Sequence, residues 1–125
     1  MNLVDSSAWL EYFGGGPRAG EFAGAIEDVA RLLVPTIVVL EVCRRVMQQR
    51  GEDEALQVAS VLHQGRVVDL DSGLALSAAQ LGVAHRLPLA DSIILATAKQ
   101  YSATVWTMDA DFEGLPDVRY VPKRG

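Results

Sequence analysis

Leu3-Val4-Asp5-Ser6-Ser7-Ala8-Trp9 opens the chain with two apolar residues, one carboxylate and two hydroxyls before apolar residues resume. Leu3-Val4 reads as the end of a buried strand. Ser6-Ser7 offers hydroxyls of the kind that satisfy the orphan N–H groups at a helix start, with Ala8 to Phe13 as the helix that follows. A strand thus runs straight into a helix, with an acid at the junction. A similar arrangement recurs near the other end of the chain. Ala103-Thr104-Val105-Trp106 is rich in β-branched and aromatic residues and reads as a strand, and Asp109 follows it closely.

Between these two junctions, strand-like and helix-like segments alternate. Gly14-Gly15-Gly16-Pro17 breaks the first helix and reads as a flexible turn, since it lacks the Lys-Ser/Thr ending of a phosphate-binding loop. A helix is predicted over 19–31, with Phe22, Ile26 and Val29 at helical spacing. Leu32 to Pro35 is a second strand. A helix over 36–50 carries Val39, Val42, Cys43 and Val46 as an apolar stripe and ends at Gly51. The next helix spans 52–64, with Leu56, Ala59 and Leu62 inward. A strand over 66–70 and a helix over 72–86 follow, then a connection over 87–90 and an apolar helix over 91–100. Residues 108–115 read as a polar loop or short helical turn, and Val118 to Val121 as a last short strand. Alternation of this kind implies an α/β fold: a three-layer α/β/α sandwich around a mostly parallel sheet, with right-handed crossovers. In such sheets functional groups collect at the carboxyl ends of strands, where Asp5 and Asp109 fall.

The 125 residues suffice for one domain with a real core, and half of them are apolar. No apolar run reaches membrane-spanning length, and the N-terminus lacks the basic and apolar regions of a signal peptide. The lone Cys43 reads as a buried thiol rather than a nucleophile. A cytoplasmic location is the expectation, without membrane attachment. The net charge of −5 taken alone opposes a nucleic-acid partner. Its location matters more. Setting aside Asp5, Glu41, Asp91, Asp109 and Asp111 leaves 11 of the 16 acids against 11 Lys and Arg, so the excess acidity can lie in one pocket neutralised by a divalent cation.

Four acids stand in otherwise apolar segments: Asp5, Glu41 within Val38-Val39-Leu40-Glu41-Val42, Asp91 before Ile93-Ile94-Leu95, and Asp109 after Val105-Trp106-Thr107-Met108. A carboxylate in such surroundings is costly unless paired, protonated or bound to metal. Neither His63 nor His85 lies near these acids in sequence, which weakens zinc ligation and leaves an all-oxygen set suited to Mg²⁺ or Mn²⁺. Each acid also has a plainer reading. Asp5 and Asp91 can cap helices, Glu41 can pair with Arg44 or Arg45, and Asp109 and Asp111 can be ordinary loop acids. The convergence of four acids on one sheet end separates the two readings.

At these residues the sequence resembles the PIN-domain nucleases, specifically the VapC-like toxins of toxin–antitoxin pairs. The resemblance rests on four ordered pieces: Leu3 to Trp9, Pro35 to Val42, Leu89 to Ala98, and Thr107 to Phe112. It implies a single PIN-like domain over 1–125 with Mg²⁺- or Mn²⁺-dependent endonucleolytic cleavage of RNA. Asp5, Glu41 and Asp91 match the family's core acids and Asp109 the fourth, with Asp111 where some members carry a further acid. Ser6 and Thr107 match small hydroxyl positions beside the acids. The resemblance further implies a homodimer held inactive by a small VapB-like antitoxin whose tail enters the active-site groove. Arg44 and Arg45 are candidate contacts to RNA or antitoxin, or plain solvent-facing bases. Trp9 and Trp106 read as packing residues rather than base-stacking platforms, and the histidines as surface residues. The competing reading is a non-catalytic PIN-like or receiver-like binding module. A receiver would take Asp69 or Asp71 as acceptor, but no Lys follows Trp106-Thr107 as it would need.

Overall fold

A computed structural model describes residues 1–123. The chain alternates β1 (Asn2–Val4), α1 (Ser6–Gly14), α2 (Ala19–Glu27), β2 (Leu32–Pro35), α3 (Thr36–Arg50), α4 (Glu52–Leu62), β3 (Arg66–Val68), α5 (Ser72–His85), α6 (Leu89–Gln100), β4 (Thr104–Thr107) and β5 (Val118–Tyr120). The five strands form one sheet in the order β3-β2-β1-β4-β5, and every pairing is parallel. Helices cover it on both sides, giving the expected α/β/α sandwich. Strands of three or four residues suffice because the central ones are buried on both faces: Leu3, Val4, Leu32, Leu33 and Val34 are inaccessible or nearly so.

The strand order fixes where a site can form. From β1 the chain moves outward through β2 to β3, then returns past β1 to β4 and β5. The boundary between β1 and β4 is the topological switch point, where connections depart in opposite directions and leave a crevice at the strands' carboxyl ends. The register pairs Val4 with Trp106, so Asp5 and Thr107 emerge side by side, and the Asp5 N–H donates to the Trp106 carbonyl at 3.0 Å.

Several boundaries differ from expectation. The helix expected to reach Arg31 ends at Glu27. Asp28 leaves helical geometry (φ −81°, ψ 70°) and a 3-10 turn over Val29–Arg31 redirects the chain into β2, leaving Val29 exposed. In α4 the periodicity is right but the phase is off by one: Ala55, Val58 and Leu62 are buried while Leu56 is exposed, because α4 packs mainly on α3 rather than on the sheet. In α3 the buried stripe is Val38, Val42 and Val46, with Val39 and Cys43 at its edge. The expected connection over 87–90 is shorter, since α6 begins at Leu89 directly after Pro88, whose extended ψ of 159° starts the helix abruptly. The strand expected over 66–70 ends at Val68.

Trp9 is fully buried and stacks on Phe13 at 5.5 Å. Trp106 is half-buried, donates from Nε1 to Asn2 Oδ1 at 3.0 Å and lies under the Arg119 guanidinium. Both are packing residues in this fold. Burial raises the Cys43 thiol's pKa, in keeping with an inert side chain. His63 and His85 are on the surface.

Candidate active site

Asp5, Asp91 and Asp109 each reach the crevice for a local reason. Asp5 follows β1 with extended backbone and is the N-cap of α1. The capping reading and the site reading hold together: Oδ1 accepts from Ala8 N–H at 3.2 Å and from Ser7 Oγ at 2.6 Å, while Oδ2 accepts from Thr107 Oγ1 at 2.6 Å. Asp91 does not cap α6. Pro88 occupies that position without a side-chain bond, and Asp91 lies in the first turn, on a helix buried continuously from Asp91 to Ala98. Asp109 starts the 3-10 turn over Ala110–Phe112 that follows β4, its Oδ1 accepting from Asp111 N–H at 2.9 Å. Phe112, fully buried, anchors that turn to the core.

Asp91, Asp109 and Asp111 each bring a carboxylate oxygen within 4.8 Å of the others'. Asp5 and Glu41 stand outside this tight triad. Asp5 lies close enough to couple electrostatically with Asp91 and Asp109. Glu41, on α3, accepts from Ser6 Oγ at 3.0 Å. It makes no ion pair with Arg44 or Arg45. The ion pairs among the described residues, Arg31–Asp28 and Arg50–Glu54, involve none of the site acids.

The electrostatic consequence is plain. Burial pushes the Asp91 carboxyl up to about 8, and the neighbouring negative charges of Asp109, Asp5 and Asp111 add to that rise. Burial also raises Asp5; its three donors work against the rise and Asp109 adds to it. Several carboxyls thus crowd one crevice, and among the described residues none of them forms an ion pair with a cationic side chain. A hard divalent cation fits this donor set: all oxygen, negatively charged, with sulfur and imidazole absent.

The two expected hydroxyls divide their work. Thr107 bonds Asp5, whereas Ser6 bonds Glu41 on the facing helix. Ser7, which the sequence offers only as a helix-capping hydroxyl, bonds Asp5 directly. Successive helix residues point about 100° apart, so Ser6 and Ser7 necessarily reach different partners, and that geometry was the available signal. Beside these serines a groove of about 840 Å³ opens between α1, α3 and α4. Leu10, Phe13, Val46, Val58 and Val61 line it, with Arg45 and Lys123 among its polar residues. Arg45 therefore faces a groove that begins at the site, whereas Arg44 is exposed outside it.

This parallel sheet, with acids gathered at its switch point, is the design of a PIN domain, and the PIN domain family model matches residues 3–118. The chain belongs to that family. Among solved structures it is similar to a toxin–antitoxin complex from Klebsiella pneumoniae (24% identity, 95% of this chain and 96% of that one, TM-score 0.79). It is also similar to the sarcin-ricin-loop-cleaving toxin VapC20 of Mycobacterium tuberculosis (18% identity, 93% and 95%, TM-score 0.76). A third similar structure is FitAcB from Neisseria gonorrhoeae (24% identity, 98% of each chain, TM-score 0.72). No curated protein matches the sequence.

Proposed function

We propose that this chain is a Mg²⁺- or Mn²⁺-dependent endoribonuclease toxin, a single catalytic domain over 1–125 that hydrolyses RNA phosphodiester bonds in the cytoplasm under the control of a small antitoxin. The observation that carries the reading is the gathering of Asp5, Asp91, Asp109 and Asp111 at the sheet's switch point, with no ion pair from a basic side chain among the described residues to balance them. The sarcin-ricin-loop cleavage by one structural neighbour agrees with an RNA substrate.

In this reading Asp91, Asp109 and Asp111 hold the ion together with Asp5, and Glu41 completes the catalytic set from α3. When bound, the ion supplies charge stabilisation at the phosphoryl oxygens and eases deprotonation of the attacking water. The chain's own part is orientation. Ser7 and Thr107 fix the plane of the Asp5 carboxylate, Ser6 aims Glu41, and the Phe112 anchor holds the turn bearing Asp109 and Asp111. The apolar groove beside the serines suits an amphipathic helix of an antitoxin, with Arg45 at hand for an acidic group of antitoxin or RNA; the neighbours solved as toxin–antitoxin assemblies agree with such a partner. On α5, Leu76 and Val83 lie seven residues apart on one face and are strongly exposed, which suits a homodimer contact.

A receiver-like module is not favoured. Asp71 caps α5, and Asp69 follows β3, an edge strand remote from the acid crevice. The test is cleavage of total RNA by antitoxin-free protein with Mg²⁺, Mn²⁺ or EDTA, beside Asp5→Asn and Asp91→Asn. Discrete metal-dependent fragments that both variants fail to produce support the proposal. Undiminished cutting by Asp5→Asn refutes the site, and no cutting by folded wild-type protein points to a binding-only member.

A further inference from the structure

Ser7 and Thr107 hold Asp5 in the same way from two sides. Each hydroxyl donates to a different oxygen of Asp5 at 2.6 Å. Each also accepts a backbone N–H from the segment that leaves β4: Met108 N–H to Ser7 Oγ at 3.0 Å, and Asp109 N–H to Thr107 Oγ1 at 2.8 Å. The two oxygens lie 3.5 Å apart. Because each accepts an N–H, its own hydrogen is free to point at the carboxylate, so both bonds form at once. Thr107 belongs to the strand it serves. Ser7 belongs to α1, so the Met108 N–H bond it accepts crosses 101 residues of sequence and ties that helix to the last junction of the chain, beside the Thr107–Asp5 bond that joins the two junctions across 102.

We propose that Ser7 is a positioning residue for the metal site, setting the distance between Asp5 and the segment that carries Asp109 and Asp111. The role rests on the metal-dependent reading above. Without the Ser7 hydroxyl, Asp5 keeps Thr107 and the Ala8 N–H, but the buried Met108 N–H loses its partner and the Asp109 turn is left tied to the start of α1 through Thr107 alone. Carboxylates that must converge on one ion then begin from a wider spread of positions, and metal affinity falls.

The test is titration calorimetry of the full chain with Mn²⁺ alone. Loss of an outer hydrogen-bonding partner typically weakens metal binding by about 10–100-fold, and that is the expected effect of Ser7→Ala, with Ser7→Thr restoring affinity. In an Asp5→Asn background, adding Ser7→Ala should change Mn²⁺ affinity no further, because the residue it acts through is already altered. A merely structural serine would lower the melting temperature of Ser7→Ala and leave Mn²⁺ affinity at the wild-type value, which overturns the proposal, as does an equal loss with and without Asp5. Should Ser7→Ala not fold, Ser7→Cys keeps the volume with a weak S–H donor, and wild-type affinity in that variant overturns it too. No RNA enters the titration, so failure to find a substrate leaves the result standing. A wild-type chain that takes up no Mn²⁺ overturns the metal reading and this role with it.

Discussion

Asp91 shows how much a single residue's surroundings decide. Its carboxyl is pushed up to about 8 by burial and by the charges beside it. The unfolded chain releases this proton near the ordinary aspartate value of 3.8, while the metal-free fold retains it until about pH 8. The native state therefore binds more protons across that window, and stability falls as pH rises through it. The contribution is full below the lower value and lost above the upper one. In EDTA, melting temperatures of the wild-type chain should decline between pH 5 and pH 8.5, and Asp91→Asn should flatten the decline. A wild-type curve no steeper than the variant's would contradict the charge crowding described here. Metal binding needs the ionised form, so Mn²⁺ affinity should climb over the same range. Asp5, Glu41, Asp91 and Asp109 were legible in the sequence as acids in apolar settings. The partner of Glu41 was not: Ser6 lies 35 residues away, and only packing of α1 beside α3 joins the two.

At the scale of elements, helix and strand identities were readable and their edges less so. Apolar periodicity marks a helix, but a one-residue change of phase depends on which neighbour it meets, as Leu56 in α4 shows. The α5–α6 pair adds a constraint invisible in sequence. A Cβ on Gly82 would collide with the Ser92 hydroxyl and press on its Cβ, and Ser92 sits beside Asp91 while its Oγ donates to the Pro88 carbonyl at 2.9 Å. Overpacking costs about 1–3 kcal/mol, and alanine's better helix propensity offsets roughly 1. Gly82→Ala should therefore lose about 1 kcal/mol in urea denaturation, against the usual gain from removing a helical glycine. Ser92→Ala in the same chain should recover part of that loss by removing the hydroxyl. A stabilised Gly82→Ala would mean that α5 and α6 pack less closely than this.

For the whole molecule, the site is the place where the sheet changes direction, and its charge makes the fold depend on what it holds. Mn²⁺ at 100 times its dissociation constant should add about 2.7 kcal/mol to unfolding stability. Asp91→Asn should abolish most of that gain, as read by denaturation with and without the ion. Equal stabilisation of the two proteins would place the ion elsewhere. The α5 face makes a separate prediction. Val83, at 83% exposure, has little to lose within one chain, so Val83→Glu should leave the melting temperature nearly unchanged while converting a dimer to monomer by light scattering. A wild-type monomer at all concentrations would remove the dimer proposal.

Composition, periodicity and the strand–acid–helix junction at Leu3 to Trp9 determined the α/β class and the acids worth watching, because patterning and capping act over a few residues. Tertiary structure decided what lies beyond that range. It placed Asp5 beside Thr107 through the parallel register of β1 and β4. It also turned Ser7 toward that pair and Ser6 toward Glu41, and left the groove between α1, α3 and α4 open. The physical reason is that hydrogen bonds, carboxylate repulsion and burial depend on distances between residues more than a hundred positions apart, which only the packed sheet sets.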